Sequence, residues 1–409
     1  MKLSEMTEIS VTQKEALEKQ GLGVKRQLLP KLPVMQSHAL VVSGIRRCGK
    51  STLLNQFVRK MKKPYFFLNF DDIRFAPFSY ADFALVDKAI AKSKAKLLFF
   101  DEIQSAKHWE RYVRQKLDEG FQLVITGSNA SLLSRELGTH LTGRHISKEL
   151  SVFSYREFCM FKGVSAGKDS FLDYLENGGF PEYAKTGNLE ILAQLQLDIL
   201  YRDIAVRYGI RDAAALRRLF VYLISNPSQL FSPSKLTGVA GVKSPTTVLE
   251  YISYFEAAYL VHLLPCFSWS VKAQNLAQKK VYINDTGLYK TGAFSFSGNN
   301  GALLENCVYT GLRRQSSINN LFDVNDIFYF RGKNGGECDF IAGSQGKPSC
   351  IQVCWELNAE NQDREIYGLA EAMEYFDRKQ GAIITFNDED IINTSGKKIN
   401  VIPVWKYLL

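Results

Sequence analysis

Short apolar runs alternate with helical periodicities along the first 150 residues of the chain. Leu40, Val41 and Val42 form a run that stops at Ser43 and Gly44. From Thr52 to Val58 the apolar residues recur at helical spacing. Residues 64–70 read as a strand ending at Asp71 and Asp72, and a helix is expected across 80–92. Residues 97–100 are four apolar positions followed by Asp101 and Glu102. Residues 122–125 repeat that pattern and end in small polar residues. Strand, helix, strand in this order predicts an α/β core with a doubly wound sheet. Residues 1–38 are polar, with a helix expected around 10–20 and with Pro30 and Pro33 before the first strand; they read as an appended arm or interface segment.

The pattern then changes. Residues 154–208 turn helical, and 189–206 carry apolar positions at spacings of three and four. An amphipathic helix over 216–224 stops at Asn226 and Pro227. A short helix begins at Ser232 and Pro233, and a third opens after Gly241 and runs through Ile252. With β-type stretches over 259–267 and 280–283, this is the layout of a helix-turn-helix with a wing. The last third reads as a helix over 301–308 and strands over 326–331, 337–341 and 350–355. A helix over 363–376 and strands over 381–386 and 401–405 close the chain. The expected organisation is an arm (1–38), an α/β core (39–150), a helical region (151–208), a winged-helix-like domain (209–292) and an α/β domain (293–409).

Composition narrows the class. The 409 residues are 46% hydrophobic and 23% charged, as in a globular protein, and the length allows two or three cores. The longest apolar stretch, 255–269, is interrupted by Glu256, His262 and Pro265, so no membrane insertion is expected. A polar N-terminus of mixed charge and seven cysteines without a Cys-x-x-Cys pair point to reduced thiols in a cytoplasm. The net charge of +9 permits an acidic partner such as DNA without requiring one.

The chemistry concentrates between the first strand and the following helix. Gly44, Ile45, Arg46, Arg47, Cys48, Gly49, Lys50 and Ser51 spell G-x-x-x-x-G-K-S, followed by Thr52. Glycines at 44 and 49 let backbone N–H groups converge on phosphate, Lys50 reaches the β- and γ-phosphates, and the Ser51 hydroxyl ligates Mg²⁺. The helix adds the positive end of its dipole. Asp101 and Glu102 supply the other half of an ATPase site: Asp101 supports the metal and Glu102 polarises the attacking water. Ser128 or Asn129 would sense the γ-phosphate, the alternative for Ser128 being a helix cap. Arg144, after Gly143, fits either a finger acting on a second subunit's site or a structural ion pair. Cys48, among inward-pointing amides, is a candidate for a lowered thiol pKa.

These segments, with Ser154 and Tyr155 in a Phe-Ser-Tyr-Arg-Glu-Phe stretch, Gly178-Gly179-Phe180-Pro181-Glu182 and Leu200-Tyr201-Arg202-Asp203-Ile204, resemble bacterial and archaeal AAA-type ATPases with a DUF4143 C-terminal region. The resemblance runs from about residue 20 to the end. It implies a P-loop ATPase core, a winged-helix-like middle and a nuclease-like end. Within that end, Glu305 and Asp339 match the metal-binding positions of a PD-(D/E)xK nuclease. The E-x-K position reads Gln352-Val353-Cys354, which removes a carboxylate and the lysine. An inactive nuclease relic is therefore expected. In the middle, Lys243, Ser244, Thr246 and Thr247 are the positions that would face DNA, though too few cations accompany them for a strong footprint; a protein-docking role is the alternative.

The function expected is Mg²⁺-dependent ATP binding and hydrolysis, coupled to the C-terminal domains, in a homo-oligomer if Arg144 acts between subunits. The competing reading is a slowly hydrolysing ATP-bound switch or scaffold that recruits a protein partner.

Overall fold

Five strands build the first sheet of the computed structural model, the first four buried along most of their length and the last only at Lys148: β1 (Ala39–Ser43), β2 (Tyr65–Asn69), β3 (Leu97–Asp101), β4 (Gln122–Gly127) and β5 (His145–Glu149). Their order is β2-β3-β4-β1-β5 and every pairing is parallel. The structure describes all residues except 34, 76–77, 130–140, 142, 293–298, 320–325 and 344–346, and the side chain of 319. Continuous apolar runs suit such a sheet, because helices cover both faces of central parallel strands. The expected strands all form. The one over 122–127 lies beside β1, with Leu40 opposite Val124 and Ser43 opposite Gly127.

The helices that cover this sheet include α1 (Leu3–Lys19), α2 (Lys50–Met61), α3 (Phe83–Ser93) and α4 (Trp109–Asp118). The N-terminal segment departs from expectation. Helix α1 starts seven residues earlier than the helix read from sequence and is no appendage: Met6 and Ile9 join Phe66, Leu68 and Phe100 in the core. Side chains of α2 hold its end, with Asn55 Nδ2 donating to Leu17 O at 2.7 Å and Arg59 Nη2 to Glu18 O at 2.5 Å. Residues Met1–Ser151 form one compact unit and Val152–Leu409 the other.

The second unit opens with a helix, Tyr155–Lys162, closed by reciprocal capping. Glu157 N donates to Ser154 Oγ at 3.1 Å, and Ser154 N donates to Glu157 Oε2 at 3.0 Å. The Phe-Ser-Tyr-Arg-Glu-Phe stretch is thus a helix start. Further on come a helix Ala213–Ser225, the short strand β6 (Leu230–Phe231), helices Pro233–Ala240 and Pro245–Ala257, and strands β7 (Val261–Leu264) and β8 (Lys279–Ile283), in an antiparallel sheet ordered β6-β8-β7. A helix Asn300–Asn319 leads into a mixed sheet. Its strands are β9 (Ile327–Arg331), β10 (Glu337–Ala342), β11 (Ser349–Val353), β12 (Gln380–Thr385), β13 (Asp390–Thr394) and β14 (Lys397–Pro403), ordered β13-β14-β12-β11-β10-β9. The helix Gln362–Tyr375 connects β11 to β12 and seals one face with Leu369, Ala372 and Met373. All seven cysteines are free thiols, and no described helix is long and apolar enough to cross a membrane.

The Gly178-Gly179 pair owes its composition to crowding. A Cβ on Gly178 would lie 1.9 Å from Asp285 Oδ1, and one on Gly179 2.3 Å from Phe153 O. Asp285 is buried and accepts hydrogen bonds from Gly179 N at 2.7 Å and Gly287 N at 2.9 Å. Burial pushes its carboxyl up from 3.8 to about 6, against the backbone donors and Arg314. Between those two pH values the native state keeps a proton that the unfolded chain has released. This group therefore makes stability fall as pH rises through that window, by up to about 3 kcal/mol. Urea midpoints at pH 4 and pH 6.5 for the wild type and Asp285→Asn check this: the wild type should lose more stability than the variant over the interval.

Candidate functional site

Strand β1 ends at Ser43, the chain turns through Gly44 to Gly49, and α2 begins at Lys50. Gly44 has φ +153° and a Cβ there would stand 2.1 Å from Leu150 O; Gly49 has φ +100°. Both positions need glycine, the first for the close approach and both for backbone conformation. No side-chain hydrogen bond caps the N-terminus of α2, an arrangement that suits an anion.

Lys50 is 5% exposed and donates to Gly44 O at 3.1 Å and Ile45 O at 3.3 Å, with Glu102 Oε1 at 3.5 Å. Burial works against its charge, but Glu102, Cys48 and Asp101 outweigh it and hold the pKa above the ordinary lysine value. Ser51 Oγ donates to Asp101 Oδ2 at 2.9 Å. The other oxygen of Asp101 accepts from Thr126 Oγ1, and Thr126 in turn accepts from Glu102 N at 3.1 Å. Burial, then the adjacent Glu102, raise the Asp101 pKa. Glu102 is also penalised by burial, yet Lys50 and hydrogen bonds from Gln104 and Ser128 bring it below the usual carboxylate range. Its Oε2 accepts from Gln104 Nε2 at 2.5 Å and Ser128 Oγ at 3.0 Å, and its backbone sits at φ +48°. A non-glycine residue held there, at the end of a core strand, is one sign of a functional site.

The structure thus brings together Lys50, Ser51, Asp101, Glu102 and Ser128. Asn129 is buried next in sequence, while Ala130 to Ser134 of the same stretch, and Thr142, lie outside the described residues. Arg46 points its guanidinium to Asp71, Nη2 to Oδ2 at 3.6 Å. Ile45 and Cys48 are fully buried behind the loop, and Thr52 follows in α2. Burial raises the Cys48 thiol pKa, so the expectation of a reactive thiolate is corrected: Lys50 and Arg26 lower it less than desolvation lifts it. Arg144 is not part of this chain's own site. It immediately precedes β5, whose His145 lies opposite Ala39 at the start of β1, the edge away from the phosphate loop, and its guanidinium pairs with Asp118. Sequence reasoning missed Thr126 and Gln104; a hydroxyl at the end of a strand beside both motifs was the available signal for the first.

A second cluster forms in the other unit. Glu305 and Asp339 do come together, but around Lys280 Nζ, which is 3.1 Å from Glu305, 3.0 Å from Asp339 and 2.9 Å from Glu337. Tyr282 Oη donates to Glu305 at 2.6 Å. Burial, then Asp339, push Glu305 up to about 8. Gln352 turns elsewhere, accepting from Asp339 N at 3.2 Å and donating to Glu365 at 2.8 Å, and Cys354 is buried. Among the described residues no group of three or more His, Cys, Asp or Glu is arranged to hold a metal ion.

Comparison with known proteins follows the same division. Residues 36–159 match the AAA domain family, and residues 168–295 match a domain of unknown function, DUF8612, where the sequence resemblance had named a DUF4143 region. The uncharacterized protein MJ1544 of Methanocaldococcus jannaschii is 34% identical over 396 residues, covering 90% of this chain and 88% of that protein. An uncharacterized protein of Haemophilus influenzae is 30% identical over 339 residues, or 78% of this chain and 82% of that one. Among solved structures, the Thermotoga maritima RuvB Holliday junction branch migration motor covers 64% of this chain and 88% of its own at 16% identity. Its TM-score is 0.30, too loose a likeness to carry any conclusion.

Thr126 is the hinge of the first cluster's hydrogen bonds. Thr126→Val keeps the shape but removes the donor to Asp101 Oδ1 and the acceptor of Glu102 N, leaving Ser51 as the remaining side-chain donor named on Asp101. It should destabilise the protein by about 2 kcal/mol, read as a lower urea midpoint at an unchanged denaturant slope.

Proposed function

We propose a function from one premise: the chain, whose residues 36–159 match the AAA domain, belongs to the family that includes MJ1544 and the Haemophilus influenzae protein. In this reading the protein binds ATP with Mg²⁺ and hydrolyses it. The observation that carries the reading is the meeting of Lys50, Ser51, Asp101 and Glu102 at the uncapped start of α2.

The residues fit a metal-bound nucleotide. Ser51 and Asp101 are already in hydrogen-bond contact through oxygen atoms, the ligand type Mg²⁺ prefers. They would hold the ion, which supplies charge neutralisation on the phosphates. Lys50 and the backbone of residues 44–52 bind the phosphates. At present Lys50 divides its donors between two loop carbonyls and Glu102; a polyphosphate competes for that ammonium and frees Glu102 to orient water. Ser128, which donates to Glu102, or its neighbour Asn129 would sense the γ-phosphate in this scheme. Arg144 would serve a neighbouring copy in a homo-oligomer only by giving up its pair with Asp118.

The order helix, strand, helix, helix, strand, short helix (Val271–Leu276), strand over residues 213–283 supports a winged-helix reading of the middle region, with that helix standing in the wing connection. Lys243 and Thr246 are exposed, whereas Ser244 is already used, accepting from Thr246 N at 3.1 Å as the helix cap. DNA contact and protein docking both remain readings of that face. Phosphate release from ATP, measured for the wild type, Lys50→Ala and Glu102→Gln with and without duplex DNA, tests the scheme. Glu102→Gln should lower turnover about 100-fold while ATP still binds. Stimulation by DNA favours the winged-helix face as a DNA reader, and indifference favours a protein partner. Tight ATP binding with no wild-type turnover favours the switch.

The C-terminal sheet domain is, in the same reading, a non-hydrolytic relative of the PD-(D/E)xK nucleases. Lys280 neutralises its carboxylates from a different strand. The wild type should not cleave plasmid DNA with Mg²⁺ or Mn²⁺; cleavage that disappears in Asp339→Ala would sink this. Lys280→Met leaves buried carboxylates without a counter-ion and should cost about 3–5 kcal/mol of stability, seen in thermal melts.

A further inference from the structure

Arg26 lies outside every motif, in the segment between α1 and β1, yet it is 3% exposed. Its position is fixed from α2. Gln56 Oε1 accepts from Arg26 N at 3.3 Å, while Gln56 Nε2 donates to Leu22 O at 2.5 Å and Val24 O at 2.6 Å. So held, the guanidinium forks. Nη1 donates to Cys48 O at 2.8 Å, and Nη2 donates to Ser151 O at 2.6 Å.

Both ends of that fork matter for the phosphate loop. Cys48 O is the acceptor end of the peptide whose donor end is Gly49 N–H, one of the groups a P-loop aims at phosphate. A charged donor on the carbonyl polarises the peptide and strengthens its N–H, because hydrogen bonds in series reinforce one another. The fork also lies against the glycine itself: a Cβ on Gly49 would come 3.1 Å from Nη1. At the other end, Ser151 is the last residue of the first compact unit. Its neighbour Leu150 donates to Ser43 O at 2.7 Å and presents its carbonyl where a Cβ on Gly44 would be. The segment 150–151 is thus bound to the start of the loop directly and to its end through Arg26.

We propose that Arg26 is a positioning residue for the phosphate loop, and that it ties the state of the loop to Ser151, where the chain leaves the first unit. The proposal rests on the ATP-binding reading above. Removing the fork has two separable effects: the loop becomes a weaker anion site, and residues 150–151 stop following it. Lysine retains the charge but not the planar pair of donors, so it separates the two.

The test is hydrogen exchange on the full chain, with and without saturating Mg²⁺-ATP, together with ATP titration, for the wild type, Arg26→Lys and Arg26→Gln. In the wild type, ATP should slow exchange in peptides covering 44–56 and 148–156. Arg26→Gln should bind ATP about tenfold or more weakly, the loss expected for a charged hydrogen bond. Arg26→Lys should keep protection of 44–56 at saturation and lose the response of 148–156. A residue that merely stabilised the fold would lower the melting temperature of both variants and leave the two peptides responding together, which overturns the proposal. So does wild-type affinity in both variants. Should Arg26→Gln fail to fold, Arg26→Lys decides alone. Absence of any ATP effect on 44–56 in the wild type overturns the ATP reading itself, and the proposal with it.

Discussion

A loop that turns its N–H groups inward toward an anion turns its carbonyls outward, and every buried carbonyl needs a donor. In this chain two of those donors come from outside the glycine-rich motif. Ser43 O is met by Leu150 N, and Cys48 O by the Arg26 guanidinium. The lysine of the motif itself meets Gly44 O and Ile45 O. The loop therefore depends on residues before β1 and after β5, and the N-terminal segment has to fold as part of the core. The burial of Met6, Ile9 and Leu17 on α1 supplies the apolar reason for the same outcome.

Each unit contains a lysine among carboxylates, and the two differ in a way that decides what each can do. An ammonium has three N–H donors. Lys280 meets three carboxyl groups within 3.1 Å, so its donors are all taken and none is left to exchange. Lys50 gives its short contacts to neutral carbonyls, while its carboxylate partner stands off at 3.5 Å on a side chain 20% exposed. A ligand with more negative charge can displace that second arrangement without stranding a buried charge. It cannot displace the first without leaving carboxylates uncompensated, which is a far larger penalty.

Legibility in the sequence followed the range of the interactions. β1, β3 and β4 were readable because central parallel strands are apolar on both faces, and the loop-to-helix transition is local. The helix α1 was misjudged because its buried positions are sparse among polar ones, and only packing on β2 reveals its face. Arg26 and Lys280 left no trace: each is a single basic residue whose partners lie 22 to 125 and 25 to 59 positions away. The two glycines at 178 and 179 were visible as a marker, but their reason is the approach of Asp285 and Phe153. Arg144 was assigned from its glycine turn alone. Strand register, which sequence does not carry, sets it at the start of the sheet rather than at the phosphate end.

Strand order accounts for the residue that joins the two halves of the site. Because β4 lies between β1 and β3, the loop lysine and serine and the two carboxylates approach from strands that do not touch. Whatever ends β4 fills the space between them. A hydroxyl suits that place better than an apolar or charged side chain, since it donates and accepts at once. Thr126 does both, donating to Asp101 and accepting from Glu102 N. It fixes the orientation of one carboxylate and the backbone of the next, and leaves the Glu102 side chain to be held by Lys50, Gln104 and Ser128. Of the two adjacent acids, Asp101 is thereby anchored at the strand end and Glu102 is held by partners that an anion on Lys50 can loosen. That difference in restraint suits the roles proposed for the two acids, one supporting a metal and the other turning toward water.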